Sequence, residues 1–407
     1  MWNTLSVQAQ PYGLKELEQQ FLAYNYRLIA ARYEIGRAEA EVVQERLWPN
    51  PGFGVSEFNL WANHTSENLP PLIGNYGGKQ QISVELEQLV ETAGKRKKRI
   101  AIKRFEQRMA VYEFEELVRE LKKELRQTYY HVSSKKHSQQ QLRTIVSLFE
   151  QLALQYQRQS QEQNVSLADY RRVQAELLRL RKELLTLDDE MAFSLHTLRL
   201  LTQLDDLSLD QLKDWNAFES RIVQVPADLI SLALEQNVGL KQQATRVEKA
   251  EATLKLEQAN RKPDLTLQLG YDRGGNIMQD FVGLGVSLDL PLFNRNKGHI
   301  QAARYAVRAS HAERSSLQWT LESTIRQQRD QLLRYERMLA DWTPEILEEQ
   351  RIMIDNYRKH LQLKQITLLE FVDFVQAVRE AQEASFEIWD TYNNTFEELQ
   401  YLVGIDF

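Results

Sequence analysis

The sequence contains no cysteine, and glycine and proline are scarce, at 16 and 9 of 407 residues. Without cysteine there are no disulfide bonds, thiol catalysis, cysteine-ligated zinc or lipid-carrying cysteine in this chain. Average proteins contain roughly 7% glycine and 5% proline, and a chain of several compact domains needs these residues for its turns. The composition therefore predicts few turns and long regular elements.

The charges do not favour nucleic acid, because 51 basic and 57 acidic residues give a net charge of −6. No apolar run approaches 18 residues, so we expect no transmembrane helix. The seven histidines lack metal spacing; His131 and His137, for example, lie on different faces of a helix. The sequence also lacks a nucleophile–base pair, a phosphate loop and a cofactor fingerprint. We expect no catalytic residue, no cofactor, no metal site and no nucleic-acid partner.

The first 13 residues are interpreted separately from the rest. Residues 5–10, LSVQAQ, are similar to the end of a secretory signal with a cleavage position after Ala9. The apolar segment that precedes such a position in a signal peptide is missing. Residues 1–13 are therefore either the tail of a signal or a disordered leader.

An internal repeat organises the chain. Five residues of the first half recur 212 positions later, and VSLADY at 165–170 matches ITLLEF at 366–371. The recurring pairs are Asn25 and Asn237, Leu28 and Leu240, Ala38 and Ala250, Ala40 and Ala252, and Pro51 and Pro263. We infer a tandem duplication, with repeat 1 at 14–203, a linker at 204–226 and repeat 2 at 227–407.

Each repeat is predicted to be mainly α with a small β part, in the order helix, strand, strand, long helix, helix. The apolar residues of the long helices follow the 3-4 spacing of coiled coils. Each long helix spans about 100 Å at ~1.5 Å per residue, and Pro344 should kink or interrupt the second. The predicted helices are 14–48, 96–161, 167–203, 227–261, 300–364 and 368–402, and the predicted strands are 53–61, 80–90, 264–272 and 281–290.

The predicted strands alternate between aliphatic and polar or small residues. In a membrane barrel, an aliphatic face meets lipid and a polar face meets a wet lumen. The residues expected to face lipid are Ile82, Val84, Leu86, Leu265, Leu267, Leu269, Val282, Leu284, Val286 and Leu288. Four strands cannot close a barrel, and lipid does not tolerate open edges. Two chains would give eight strands, whereas three would give twelve with room for a channel, so a trimer is the economical solution.

Two motifs resemble a known family. TAGKRKKRI at 92–100 and LPLFNRNKGHI at 290–300 are similar to signatures that close the second strand of each repeat in outer-membrane factors of the TolC type, particularly its CzcC-like cation-efflux branch. The resemblance covers nearly the whole chain. It implies a homotrimer with a 12-stranded outer-membrane β-barrel and a long periplasmic α-helical barrel in a Gram-negative bacterium.

The resemblance also implies the function and the partners. The chain would be the exit duct of a tripartite pump, working with a periplasmic adaptor, an inner-membrane pump of the resistance-nodulation-division type and outer-membrane lipid. The branch implies export of heavy-metal cations such as cobalt, zinc, cadmium or copper. The alternatives are a multidrug efflux channel and, outside transport, a structural coiled-coil protein without a pore.

The turns between the paired helices carry further expectations. Ser166 and Thr367 are predicted N-caps, each with an acid three residues later, as in a capping box. The resemblance implies that both tips dock the adaptor. The tip residues are Asn164, Val165, Ser166 and Leu167 in repeat 1, and Gln365, Ile366, Thr367 and Leu368 in repeat 2.

Glu370 and Asp373 lie three residues apart on one helix face. They fall where TolC-like proteins place an acidic pair at the narrow periplasmic end, which implies a gate. The alternative is a capping acid and a solvated surface charge. Repeat 1 keeps Asp169 but has Arg172 opposite Asp373, so only the second helix pair would carry both acids.

The basic run at 94–99, GKRKKR, lies between a predicted strand and a predicted long helix. In a chain with net negative charge, we do not interpret it as a nucleic-acid site. We expect it to mark the inner membrane–water boundary, where cations meet anionic headgroups.

Overall fold

The computed structural model describes residues 11–56, 68–74, 77–213, 219–274 and 278–407. The chain divides into two units. The helical unit comprises Met1–Arg32, Phe114–Leu240 and Leu317–Phe407, and the sheet unit comprises Tyr33–Glu113 and Lys241–Ser316. None of the described helices is both long and apolar enough to cross a membrane.

The described elements follow the order of the duplication. The helices are α1 (Leu14–Tyr24), α2 (Tyr26–Glu45), α3 (Lys95–Gln161), α4 (Leu167–Thr202), α5 (Leu229–Gln236), α6 (Val238–Ala259), α7 (Lys297–Leu339), α8 (Pro344–Gln362) and α9 (Leu368–Val403). The strands are β1 (Gly52–Ser56), β2 (Ile82–Val90), β3 (Leu265–Arg273) and β4 (Phe281–Leu288).

The four strands form one antiparallel sheet in the order β1-β2-β3-β4. Of the first strand predicted at 53–61, residues 53–56 lie in β1, and residues 57–61 lie outside the described residues. Strands β2 and β3 pair over their full nine residues, from Ile82 opposite Arg273 to Val90 opposite Leu265. The sheet therefore joins the two repeats in one hydrogen-bonded layer.

The helices predicted at 14–48 and 227–261 are wrong as single helices. The structure divides the first into α1 and α2 and the second into α5 and α6, and a single asparagine separates the members of each pair. Asparagine competes with helix formation, because its side chain can replace backbone partners. The recurrence of Asn25 as Asn237 is the sequence signal for both breaks.

The two asparagines make equivalent contacts. The Asn25 side-chain oxygen accepts a hydrogen bond from the Leu28 N–H at 3.2 Å, and its amide donates to the Leu201 carbonyl at 2.9 Å. Asn237 caps α6 in the same way and donates to the Leu402 carbonyl at 2.9 Å. Each asparagine therefore starts one helix and ties it to the end of the last helix of its repeat.

The predicted interruption at Pro344 is present. The segment 300–364 contains α7, which ends at Leu339, and α8, which begins at Pro344. Proline suits the first helical position, where its missing N–H is not needed. Helices α7 and α8 thus together form one long helical stretch with a defined break.

Apolar side chains predicted to form the coiled-coil seams are buried in the helical unit. One cluster joins α3, α4, α8 and α9, and the Phe149 and Phe371 rings lie 6.1 Å apart within it. Its buried members include Leu142, Ile145, Phe149, Leu152, Val173, Leu177, Leu180, Leu361, Leu368, Phe371 and Val375. The two helical hairpins are therefore held together by a shared core.

A buried ionic cluster was not apparent from the sequence. Glu397 on α9 is 2% exposed and accepts hydrogen bonds from Arg126 at 3.0 Å and Arg221 at 2.9 Å. Arg126 also pairs with Glu18 at 2.5 Å and with Asp406 at 3.3 Å. Because these residues are widely separated along the chain, no local sequence pattern predicts that they form a cluster.

Candidate functional site

The first tip begins where α3 ends. Gln163 has a positive φ of 59°, and its N–H donates to the Ser160 carbonyl at 3.2 Å. The Asn164 N–H donates to the Gln159 carbonyl at 2.8 Å. These two bonds form a Schellman motif, which satisfies carbonyls at the end of a helix.

The second tip has the same backbone geometry after α8. Lys364 has a φ of 56° and donates its N–H to the Leu361 carbonyl at 3.0 Å. The Gln365 N–H donates to the His360 carbonyl at 2.9 Å. The duplication has therefore kept the turn although only a few side chains are shared.

The predicted N-caps are confirmed at both tips. The Ser166 hydroxyl oxygen accepts the Asp169 N–H at 3.0 Å, and the Thr367 hydroxyl oxygen accepts the Glu370 N–H at 3.2 Å. At the second tip, the Glu370 carboxylate also accepts the Thr367 N–H at 2.7 Å. The second tip thus contains a complete capping box.

Side chains at the tips divide between core and surface. Leu368 is buried in the hairpin core, and Val165 and Ile366 are half-buried. Asn164 and Gln365 are exposed, and Leu167, which follows the first cap, is also exposed. Each tip therefore presents a polar turn beside an accessible or partly accessible apolar residue.

The two acids proposed for the gate are exposed on α9. The Thr367 N–H and hydroxyl hold the pKa of Glu370 below its usual value, because both stabilise the carboxylate. Asp373 makes no hydrogen bond or ion pair within the described part of the chain. Phe371 is fully buried, and Phe374 stacks on Tyr357 with ring centroids 3.8 Å apart. The acids therefore lie on the helix face turned away from the core.

The strand register brings all ten predicted aliphatic residues to one face of the sheet. Leu86, Leu269 and Leu284 form one row across three strands, because Leu269 lies opposite both other residues. The pairing places the remaining members on the same face, where Ile82 lies opposite Arg273. Strand β1 adds Phe53 and Val55, which the irregular pattern of the first strand left out of the prediction. Leu284 is 88% exposed. Seven of the ten residues are exposed, and Ile82, Val84 and Leu265 are half-buried, so the aliphatic face is largely open in the described chain.

The opposite face of the sheet is mostly polar or small. It includes Glu85, Glu87, Gln268 and Gly285, and the Gln268 amide donates to the Glu87 carboxylate at 2.8 Å. This division matches a wall with lipid on one side and water on the other. The same register could not be obtained from sequence alternation alone, because alternation does not fix how strands align.

Two cations of the basic run have acidic partners within the protein. Lys95 is buried and pairs with Asp264 at 2.8 Å, and Arg99 pairs with Glu91 at 2.5 Å and Glu45 at 2.6 Å. These cations neutralise acids of the protein itself. Their ion pairs lie where β2 gives way to α3.

Two further members of the run also have protein partners. The Lys98 ammonium donates to the Ala93 carbonyl at 2.6 Å, and the Arg96 guanidinium lies 4.4 Å from the centre of the Trp48 ring. Lys97 is exposed. The sequence indicated the boundary between strand and helix but not the internal pairing.

Histidines contribute to packing in the helical unit. His131 Nδ1 lies 2.7 Å from an Asp390 carboxylate oxygen, and His137 stacks on Phe386. Across the described ranges, no three or more histidine, aspartate or glutamate side chains are arranged to hold a metal ion.

Comparisons with known proteins agree with this arrangement. The sequence profile of the family described as outer membrane efflux protein matches residues 17–202 and 229–404, one segment for each repeat. A sequence comparison with curated proteins finds no match.

Solved structures with the same fold are distant in sequence. The CmeC outer membrane channel of Campylobacter jejuni is 15% identical with a TM-score of 0.77, covering 96% of this chain and 85% of that one. A membrane protein from Pseudomonas aeruginosa is 14% identical with a TM-score of 0.78, covering 97% and 90%. The outer membrane protein VceC from Vibrio cholerae is 16% identical with a TM-score of 0.75, covering 97% and 96%.

Proposed function

Because the chain belongs to the outer membrane efflux protein family, we propose that it is the exit duct of a resistance-nodulation-division pump that exports heavy-metal cations such as cobalt, zinc, cadmium or copper. Channels of this family are homotrimers that work with adaptor proteins and inner-membrane pumps. The chain is an outer-membrane channel with a periplasmic helical part, and it is not an enzyme.

The β-barrel forms on trimerisation, because one chain supplies four strands and three chains supply twelve. In the trimer, the free edge of β4 in one copy would pair with the free edge of β1 in the next. The ten aliphatic residues, together with Phe53 and Val55, then face outer-membrane lipid. The polar face with Glu85 and Glu87 then lines the lumen.

The observation that carries the cation proposal is the exposed pair of acids after the second tip. Hydrogen bonds from Thr367 lower the pKa of Glu370 and so favour its carboxylate form, and Asp373 has no partner within the described residues that would neutralise it. Threefold symmetry would bring six carboxylates to the axis. A ring of carboxylates attracts cations and repels anions, which suits a narrow end that passes metal ions.

The adaptor docks at the two tips in this proposal. Both turns have the same fixed backbone, and each exposes polar side chains, including Asn164 and Gln365, next to an apolar residue. The pseudo-equivalence of the tips allows one kind of adaptor hairpin to bind at two places on each protomer. The inner-membrane pump then connects to the channel through the adaptor.

Complementation tests the substrate class. The gene is deleted in its own host, and resistance to cobalt, zinc, cadmium and copper salts is compared with resistance to lipophilic drugs. We expect sensitivity to at least one metal, restored by the wild-type chain but not by Leu284→Arg, which should not assemble. Sensitivity confined to drugs would replace the cation proposal with the multidrug alternative. No change in any efflux phenotype, and a chain absent from the outer-membrane fraction, would favour a structural coiled-coil protein.

A further inference from the structure

We propose that the loop between β4 and α7, with Trp48 before β1, forms a collar that anchors the channel in the phospholipid headgroups at the helix-side boundary of the membrane. The inference rests on the proposed lipid-facing role of the aliphatic sheet face. It assigns the headgroup contact to Arg295 and Lys297 of repeat 2. In the basic run of repeat 1, by contrast, Lys97 is exposed, and the other four cations have partners within the protein.

Strand register places these residues at one end of the sheet. Leu265, at the start of β3, lies opposite both Val90 at the end of β2 and Leu288 at the end of β4. Gly52, at the start of β1, lies opposite Glu87, three residues before the end of β2. The connections to α2, α3, α6 and α7 therefore leave the sheet on the same side. Any membrane boundary on that side crosses these connections.

Large apolar side chains are exposed in two of the connections. Trp48 is 64% exposed, Leu292 is 61% exposed, and Phe293 has no protein cover at all. Leu290 and Leu292 follow Leu288 at two-residue spacing, and both are exposed. Exposed apolar groups of this size mark an interaction surface, and aromatic residues concentrate at both boundaries of membrane barrels.

Internal bonds hold the second of these connections in place. The Leu292 N–H donates to the Leu290 carbonyl at 2.8 Å, which closes a tight turn around Pro291. The Asn296 amide donates to the carbonyl and the carboxylate of Glu257 on α6, at 2.9 and 2.6 Å. Phe293 is thus presented outward from a loop that is fixed on both sides.

Charge identifies the occupant as an anionic lipid surface. Arg295 and Lys297 are exposed and make no hydrogen bond or ion pair within the described chain. They stand two and four residues after Phe293. In contrast, Lys95 and Arg99 of repeat 1 are neutralised by Asp264 and two glutamates. The Phe293 ring can contact the acyl chains while Arg295 and Lys297 contact the lipid phosphates, as expected at the boundary between the two layers.

Trp48 completes the collar from the other repeat. Its ring lies 4.4 Å from the Arg96 guanidinium, and Arg96 also donates to the Arg46 carbonyl. The cation–π contact fixes the indole at the level of a positive charge. A tryptophan held in this way can place its apolar body in lipid and its ring N–H in the headgroup layer.

The absence of cysteine makes a site-specific test direct. Single variants Phe293→Cys, Leu284→Cys and Val165→Cys are labelled with a small fluorophore, and the trimers are reconstituted in bilayers of phosphatidylethanolamine and phosphatidylglycerol. Lipids carry a nitroxide quencher either on the headgroup or deep in the acyl chain. We expect headgroup quenching at Phe293, acyl-chain quenching at Leu284 and neither at Val165.

The two proposals fail in different ways. If the label at Leu284 is quenched but the label at Phe293 is not, the collar is overturned while the lipid-facing sheet stands. If neither label is quenched by lipid, the lipid-facing role of the sheet itself fails. A label at Phe293 that is shielded from lipid and from aqueous iodide shows that a second copy of the chain covers the loop, which also overturns the collar.

The cation part has its own measurement. Headgroup-labelled phosphatidylglycerol should quench the Phe293 label more than equally labelled phosphatidylethanolamine, with an enrichment of roughly fivefold per cation at low ionic strength. Arg295→Gln with Lys297→Gln should abolish the difference. The control, Arg304→Gln with Arg314→Gln, removes two exposed cations further along α7 and should leave it unchanged. Equal quenching by both lipids in the wild type would overturn the phosphate contact.

Discussion

Leu284 on β4 lies directly opposite Leu269 on β3, with both side chains on the aliphatic face of the sheet. Ser287, three residues along β4, lies opposite Thr266 on the other face. This relationship separates two environments on one strand. It provides matched positions at which the lipid and lumen assignments can be tested.

The assignment predicts that Leu284→Arg blocks assembly and Ser287→Arg does not. A charge on the lipid face near the midplane costs roughly 2–4 kcal/mol, whereas a lumen position remains in water. Trimer yield is measured by heat-modifiable migration of the outer-membrane fraction in detergent. Similar trimer yields for the two variants would contradict the assignment of the aliphatic sheet face to lipid.

The gate is tested by neutralising both acids without changing their size. Glu370→Gln with Asp373→Asn should lower the cation preference of the channel and weaken its block by multivalent cations. Reversal potentials and block are measured in planar bilayers, with trimer yield unchanged. The control, Glu162→Gln with Asp169→Asn, removes two acids at the first tip. An unaltered reversal potential in the first variant would reduce Glu370 and Asp373 to ordinary helix surface.

The cap at Thr367 predicts a pH dependence. Because the folded state lowers the pKa of Glu370, its stabilising contribution is complete above the ordinary glutamate pKa of about 4.3 and is lost as the pH falls through the lower folded value. Thr367→Val removes the hydroxyl donor and should raise that pKa. Cation preference would then decline at a higher pH during acidification. An identical titration midpoint in both proteins would contradict the proposed link between cap and gate.

Adaptor docking is tested by crosslinking in intact cells. Val165→Cys and Ile366→Cys are each combined with a cysteine at the tip of the adaptor hairpin, and no native cysteine competes. We expect crosslinks at both tips and none at Leu185→Cys, an exposed position within α4. Crosslinks found only at Leu185 would place the adaptor along the helices and refute tip-to-tip docking.

The ionic cluster predicts a difference between neighbouring glutamates. Glu397→Gln leaves Arg126 and Arg221 without a buried negative partner and should destabilise the helical unit by about 3 kcal/mol. Glu398→Gln removes a more accessible pair with Lys123 and should cost under about 1 kcal/mol. Thermal unfolding followed by circular dichroism provides the comparison. Equal losses would mean that burial does not set the strength of these pairs.

Local sequence patterns were sufficient for much of the fold. Alternation in β3 and β4 identified the aliphatic residues, and Ser166 and Thr367 marked the starts of α4 and α9. Pro344 located the break before α8. Each of these signals acts within a few residues, because strand alternation, capping and proline geometry are local properties of the backbone.

Features that depend on distant residues were not predicted. The side chains of Asn25 and Asn237 bond to the carbonyls of Leu201 and Leu402, which lie far along the chain. The burial of Lys95 depends on Asp264 in the other repeat. The gate and the docking roles of the tips remain predictions, since they concern assemblies that a single chain does not contain.

The twin tips have a consequence for how a pump comes together. Each turn has its helix-end carbonyls and its capping N–H groups bonded before any partner arrives. A protein that docks there meets a preorganised surface and loses little conformational entropy in ordering it. Binding energy is then available for recognition, so modest contacts at several tips can hold a partner through avidity while each contact alone stays readily reversible.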